Sequence, residues 1–134
     1  MGGHINQVRT SVTLVNNTLL SVKMGPTAYG GLHWWVLRVR MTNGDNVARV
    51  CSVRILNVSN FMIHELSSGS LNATVTSEML VGMGTTIAAT GNKDCGNGPI
   101  ILAPGCQLEL EWAAGGASAG GTGYYAVDYQ EYLP

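Results

Sequence analysis

The stretch Gln107-Leu108-Glu109-Leu110-Glu111-Trp112 alternates polar and apolar side chains without a break. Successive side chains of a β-strand point to opposite faces of a sheet, so this period of two predicts a strand with one buried face and one solvated face. The pair Pro104-Gly105 just before it predicts a turn, and Pro99-Ile100-Ile101-Leu102 predicts a short apolar strand ahead of that turn. This part of the chain is therefore predicted to be β-structure.

A long hairpin is predicted upstream of this stretch. Residues 33–41 alternate as a strand, and Thr42-Asn43-Gly44-Asp45-Asn46 follows them. Asn-Gly tolerates positive φ at both centres of a tight turn, which makes it a strong hairpin signal. Residues 47–56 are predicted to return as the second strand, with Cys51 on its apolar face.

The remaining segments extend the all-β pattern. Residues 71–81 have a helix-like spacing of apolar positions, but their β-branched residues disfavour a helix, so a loop is predicted there. Gly-rich loops are predicted over residues 91–98 and 113–123. Further strands are predicted over residues 12–15, 19–24, 61–66, 85–90 and 124–133. About eight short strands separated by turns predict one β-sandwich or barrel domain.

Composition and charge narrow the classes of partner. The chain has 134 residues, a length typical of one domain, and only 11% of them are charged, against roughly 25% in an average soluble domain. The formal net charge is -1, and nucleic-acid binding needs clustered Lys and Arg. The apolar runs are far shorter than the ~20 residues of a membrane-spanning helix. We expect neither nucleic acid nor membrane as a partner.

The titratable residues do not form a recognisable catalytic or metal-binding motif. His4, His33 and His64 are scattered singly, and no Cys or His spacing predicts a zinc site. Glu109 and Glu111 lie two apart on a strand, where a solvated face explains them better than a carboxylate pair. There is no nucleophile elbow or phosphate loop. We therefore expect a protein that is not an enzyme and uses no cofactor or metal.

The three cysteines leave two interpretations open. An odd number argues against a secreted disulfide framework, and Cys51 fits a small core residue. Cys95 and Cys106 flank a turn-rich stretch and are the candidate pair for a disulfide formed after release from a reducing cell. The alternative is that all three are reduced thiols.

Aromatic side chains on outward faces are the first candidates for contact with a partner. The chain has one Phe but five Tyr and three Trp, and adjacent aromatic residues on a strand must point to opposite faces. Exposed Trp and Tyr are enriched at binding interfaces, although a second sheet or a loop can also cover them, and a sugar-binding platform is a third interpretation. The residues assigned to such an interface are Trp34, Tyr124 and Tyr132.

The N-terminus supplies a second candidate contact. Residues 1–10 are predicted as an arm ahead of a domain over 11–134, because the segment around His4 and Arg9 is too polar for a core. Such an arm is expected to reach over a neighbouring subunit.

The order of strands and turns carries a family resemblance. Arg40-Met41-Thr42-Asn43-Gly44 leads into the returning strand, then come Pro99-Ile100-Ile101-Leu102-Ala103-Pro104-Gly105 and Leu108-Glu109-Leu110-Glu111, and the chain closes through Tyr125-Ala126-Val127-Asp128-Tyr129. Over roughly residues 10–133 this layout resembles the small jelly-roll structural proteins of tailed phages. The long first segment and the tryptophan pair depart from that pattern.

The resemblance implies a single-domain jelly-roll β-sandwich of about eight antiparallel strands. It further implies a virion structural protein, a homotrimeric capsid decoration or cement protein that binds the major capsid protein on the capsid surface after synthesis in the host cytoplasm. The alternatives are a carbohydrate-binding or host-attachment module at a fibre tip, and a structural protein of the neck or tail. The resemblance implies no catalytic residues.

Overall fold

The computed structural model of the chain describes residues 4–73, 78–82, 93–95, 100–113 and 120–134, with the backbone alone for 93–95. All regular structure in these residues is β-strand. The ten strands are β1 (Asn6–Leu14), β2 (Leu20–Met24), β3 (His33–Thr42), β4 (Arg49–Leu56), β5 (Met62–Leu71), β6 (Glu78–Gly82), β7 (Lys93–Cys95), β8 (Ile100–Leu102), β9 (Gln107–Trp112) and β10 (Gly121–Tyr132).

The strands form two sheets that enclose one core. The first sheet has the order β1-β10-β3-β6-β7, with β8 also paired to β3, and the second has the order β2-β9-β4-β5. Setting aside the short β7 and β8, four strands face four strands, and the chain crosses between sheets at most connections. This order is that of a jelly roll. All pairings among these eight strands are antiparallel, so the predicted jelly-roll sandwich is confirmed.

The alternating stretch predicted first forms β9 in the centre of the second sheet. Leu108, Leu110 and Trp112 are fully buried, as their parity predicts. The indole N–H of Trp112 donates to the carbonyl of Thr42 in the opposite sheet, at 2.9 Å. Fully burying one large apolar side chain stabilises a fold by about 1.5–3 kcal/mol, so this strand is a main source of cohesion between the sheets.

The two ends of the sandwich are distinct. At one end, which we call the hairpin end, the β4–β5 turn meets the turn before β9, because Gly105 packs against Val58 and its N–H donates to the carbonyl of Pro26. The first residue of β1, Asn6, lies opposite Tyr129 of β10, so β1 starts and β10 ends at this same end.

The opposite end is held together by one buried arginine. The Nε of Arg49 lies 2.7 Å from a carboxylate oxygen of Asp45, and both side chains are fully buried. The guanidinium also donates to the carbonyls of Val15, Thr18 and Ala113, at 2.6 to 3.0 Å. Arg49 thus ties together the β1–β2 turn, the β3–β4 loop and the exit of β9. We call this the arginine end.

A β-bulge interrupts the alternation of β3. Asp128 and Tyr129 are consecutive in β10, but their partners in β3 are Arg38 and Val36, so Leu37 is an extra residue. The bulge reverses the inward and outward parity on its two sides. It also divides the far edge of β3, where β6 pairs on one side of Leu37 and β8 pairs on the other.

The bulge explains why the outward placement of Trp34 is wrong. An unbroken strand would put Trp34 on the opposite face from Val39, but the extra residue brings both to the core. Trp34 is 7% exposed and its ring stacks on that of Tyr129, with centroids 3.8 Å apart. Trp35 takes the outward position instead and is half-buried.

Two loops and the arm are also corrected. β6 (Glu78–Gly82) begins within residues 71–81, which were predicted as a loop. Its buried residues occupy both parities and leave no alternation to detect. β7 lies inside the predicted loop at 91–98. Residues 6–10, predicted as an arm, form the first half of β1 and pair with β10. The strand predicted over 85–90 lies outside the described residues.

Candidate functional site

The outer face of the first sheet gathers three of the chain's seven Lys and Arg residues. In register across β1, β10 and β3, Arg9 lies beside Ala126 and Ala126 lies beside Arg40. The next row holds Gln7, Asp128 and Arg38 in the same order. We call this surface the arginine face; it consists of Gln7, Arg9, Ser11, Arg38, Arg40, Thr42, Glu78, Tyr124, Ala126 and Asp128.

Two of the three arginines have acidic neighbours. Arg40 lies 3.2 Å from Glu78, and Arg38 lies 3.6 Å from Asp128, which also accepts a hydrogen bond from Gln7 at 2.7 Å. Among the described residues no carboxylate lies within ion-pair distance of Arg9. Three guanidinium groups against two carboxylates leave one excess positive charge, which is concentrated at Arg9.

The arginine face is concave around Tyr124. A shallow depression of about 650 Å³ lies between β1, β10 and β3, and its lining includes Arg9, Ser11, Arg40 and Tyr124. The small side chain of Ala126 between the two arginines keeps its floor low. Tyr124 is 51% exposed. Its backbone N–H donates to the side-chain hydroxyl of Thr42 at 3.2 Å, and this hydrogen bond connects β10 to β3 at this position.

A second surface is apolar and lies at the hairpin end. Val58, Phe61, Met62 and Ile63 are between 55% and 70% exposed, and we call this group the hairpin patch. The turn beneath it is well defined, because the side-chain oxygen of Asn57 accepts the N–H groups of residues 59 and 61. An ordered turn and the first two residues of β5 therefore present four large apolar side chains to solvent.

The outer face of the second sheet has the opposite charge balance. Arg54 donates to Glu65 and Glu111 at 3.1 and 2.9 Å and lies 3.5 Å from Glu109, which is only 9% exposed. Burial by itself lowers the pKa of Arg54, but the hydrogen bonds and charges of Glu65 and Glu111 outweigh it and raise that pKa. Lys23 lies in register beside Glu109, so three carboxylates meet two cations. The prediction that Glu109 is solvated is wrong.

The other predicted contact residues differ in exposure. His4 and Arg9 are exposed, and Tyr124 is half-exposed on the arginine face. Tyr132 is partly buried near the end of the same face, where its ring lies 5.6 Å from that of His33. The structure brings Arg9 and Tyr124 together, while Trp34 is absent from the surface.

Sequence reasoning missed most of both surfaces. Arg38 and Arg40 join Arg9 only through the register of β10 between them, which no local pattern reveals. The hairpin patch had a local signal, since Phe61-Met62-Ile63 is apolar at both parities although it borders a turn.

The structure describes the side chains of two of the three cysteines. Cys51 is fully buried, as predicted, and burial raises the pKa of its thiol to about 12. Cys106 is a free thiol in the structure, and its pairing with Cys95 stays a prediction. The side chain of Cys95 lies outside the described residues.

Two further findings concern ligands and membranes. Within the described ranges, no group of three or more His, Cys, Asp or Glu side chains is placed to hold a metal ion. No helix long and apolar enough to cross a membrane occurs in the same ranges.

No protein-family model and no curated protein matches the chain. Among solved structures, a chain in the structure of infectious bursal disease virus, Gx strain, is similar over 91% of this chain at 14% identity, with a TM-score of 0.28. This chain spans about a third of that viral chain, 32% of its length. At this TM-score the likeness to a viral protein carries no argument for fold or function.

Proposed function

We propose that the chain is a structural protein of a virion that decorates the outside of a capsid and stabilises neighbouring subunits of the major capsid protein, acting as a homotrimer. It is made in the host cytoplasm and acts at the capsid surface. Its function is binding and not catalysis. The observation that carries the proposal is the hairpin patch.

Exposure of the hairpin patch to water is thermodynamically unfavourable unless a partner protein covers it. Val58, Phe61, Met62 and Ile63 come from one turn and the start of the edge strand β5. Several large apolar side chains exposed at one place on a soluble protein mark an interaction site. The turn that presents them is ordered by Asn57, so the patch is preformed and binding needs little rearrangement.

Docking through the hairpin end also suits a repeating lattice. One patch of this size supplies only part of the roughly 1,600 Å² of a standard interface, so a single copy is expected to bind weakly. Three linked copies engage three capsid sites at once, and the effective concentration of the second and third sites raises the overall affinity.

The test compares capsid binding by the natural chain and by a Phe61→Ser, Ile63→Ser double variant. Both side chains are exposed, so the substitutions leave the core intact. The matched control is Leu19→Ser, which removes a similarly exposed apolar side chain at the arginine end. Binding is measured by co-sedimentation with capsids of the virus that carries the gene, and mass in solution by light scattering.

The expected result is capsid binding by the natural chain and the control, loss of binding by the double variant, and a mass of about three chains. A natural chain that stays in the supernatant at micromolar concentration contradicts capsid decoration. Binding to purified necks or tails instead of capsids contradicts it as well and supports the neck or tail alternative.

A second candidate function is host attachment by binding carbohydrate. The observation that favours it is the arginine face, where a half-exposed Tyr124 lies over a concave surface lined by hydroxyl and guanidinium groups. Binding to an array of neutral and acidic glycans tests this function. An array without signal contradicts host attachment through carbohydrate and has no bearing on the proposal of capsid decoration.

A further inference from the structure

We infer that the arginine face is a binding site for a sugar that carries a carboxylate, with Arg9 holding the carboxylate and Tyr124 supporting the sugar ring. This inference rests on the second candidate function, whose ligand class it names, and it does not depend on capsid docking.

Arg9 is the group that selects for a carboxylate. Arg38 and Arg40 lie close to Asp128 and Glu78, whereas Arg9 has no carboxylate within ion-pair distance among the described residues. A guanidinium presents paired N–H donors whose spacing matches the two oxygens of a carboxylate. The excess charge of the face is therefore available to an anionic ligand.

Tyr124 and its neighbours supply the rest of a sugar site. Tyr124 lies one row from Arg9, opposite Ser11 in register, so the ring, a hydroxyl and the guanidinium border one depression. A tyrosine presents a flat apolar ring with a polar tip, and a pyranose presents a flat C–H face with a hydroxyl rim. Ala126 leaves the space between Arg9 and Arg40 open.

The size and charge of the face disfavour larger polyanions. A depression of about 650 Å³ lies within the roughly 300–1,000 Å³ of small-molecule sites. One excess positive charge suits one carboxylate, whereas nucleic acid needs many phosphate contacts.

An acidic peptide is also disfavoured. The centre of the face is β10, whose backbone is paired on one side with β1 and on the other with β3. A peptide therefore cannot add a strand at this place, and backbone pairing is what gives an extended peptide its affinity for a sheet.

The experiment titrates the isotope-labelled full chain with sodium glucuronate, glucose or sodium acetate and follows backbone amide shifts by NMR. Glucose has the ring without the carboxylate, and acetate has the carboxylate without the ring. The variants are Arg9→Gln and Tyr124→Ala, whose side chains are both exposed. The matched control is Lys23→Gln, which removes one exposed positive charge on the opposite sheet.

We expect glucuronate to shift the amides of the arginine face and to bind more tightly than glucose or acetate. Arg9→Gln is expected to weaken glucuronate binding by about tenfold or more, because a charge-assisted hydrogen bond is lost. Tyr124→Ala is expected to remove the preference for glucuronate over acetate. Lys23→Gln is expected to bind like the natural chain.

Three outcomes would overturn the inference. They are the absence of glucuronate binding, equal loss of binding in Arg9→Gln and Lys23→Gln, and equal affinity for acetate and glucuronate. Neutral-glycan binding elsewhere on the chain would keep the second candidate function while removing this site, so the two failures are distinguishable. Shifts caused by a poly-glutamate peptide with none from glucuronate would point to an acidic protein partner and also overturn the inference.

Discussion

Arg49 and Arg54 lie five positions apart on the same strand, yet the fold uses them differently. Arg49 is fully buried and bonds to Asp45 of the β3–β4 loop and to three backbone carbonyls from two other loops. Arg54 lies on the outer face of its sheet among three glutamates and keeps part of its surface in water. Arg49 connects several loops, so its removal is expected to loosen all of them at once. Arg54 belongs to a network of surface ion pairs that water partly screens.

We expect Arg49→Met to lower the free energy of unfolding by about 3–5 kcal/mol, since it removes the positive charge beside the buried carboxylate of Asp45. It also removes the donors to three carbonyls at the arginine end. Urea unfolding followed by tryptophan fluorescence measures the change. Arg38→Met at the exposed pair with Asp128 is the control and is expected to cost at most about 1 kcal/mol. Equal losses of unfolding free energy in Arg49→Met and Arg38→Met would contradict the structural role assigned to Arg49.

At the scale of elements, the bulge in β3 decides which aromatic residue is in the core. Leu37 is the extra residue, and it shifts the parity of everything on the N-terminal side of the strand. It also lies where β6 gives way to β8 along the same edge. Gly82 fits this crowded place with a φ of +127°, and a Cβ there would meet the carbonyl of Leu37.

We expect a chain that lacks Leu37 to fold, because Val36 then directly precedes Arg38 and Trp34, Val36 and Val39 still share the core face. Removal of the one extra residue restores a regular alternation along β3, so no side chain has to change face. A near-ultraviolet circular dichroism spectrum like that of the natural chain, with a cooperative thermal transition, is the expected result.

The matched control is Leu37→Ala, which shortens the side chain and keeps the extra residue. It is expected to retain cooperative unfolding. A deletion variant without a cooperative transition would contradict the expectation and show that β3 needs the bulge itself, at the place where β6 gives way to β8.

The elements also show how far local patterns reach. β9 and most of β3 and β10 were predictable, because one face of each meets the core and the other meets water or surface side chains. β6 was not, since its residues are buried at both parities. The first half of β1 was not, since its polar composition hides an edge strand paired by backbone bonds, although a strand was predicted over residues 12–15. The bulge and the arginine face depend on register between strands far apart in sequence.

At the scale of the whole molecule, the two outer faces carry opposite charge. The arginine face has one excess positive charge, and the outer face of the second sheet has one excess negative charge around Glu65, Glu109 and Glu111. A net charge near zero for the chain thus conceals two polarised surfaces. Composition excluded a broadly basic protein but could not reveal this separation.

We expect the stability of the chain to fall in alkali. Burial raises the pKa of Cys51 to about 12 and raises the pKa values of Tyr125 and Tyr129, the latter with help from the charge of Glu131. These groups ionise at lower pH in the unfolded chain. Their contribution is therefore present below the ordinary pKa values, about 8.5 for Cys and 10 for Tyr, and is lost as pH rises toward the folded values.

The measurement is the midpoint of thermal unfolding at intervals from pH 8 to 12. The midpoint is expected to decline above about pH 9, and less steeply in Cys51→Ala, which has no thiol to ionise at that position. Cys106→Ala serves as the control, because Cys106 is only partly buried. A midpoint that stays constant up to pH 11 would contradict the expectation.

The pairing of β1 with β10 has a practical consequence for display on a particle. Any segment before β1 or after β10 leaves the sandwich at the hairpin end, the same end as the patch proposed to contact the capsid. A fluorescent protein or epitope fused to either terminus would therefore face the capsid surface. The turn at Asn16 and Asn17 lies at the other pole and is exposed, so a foreign peptide inserted between them would be shown outward, in many copies per particle.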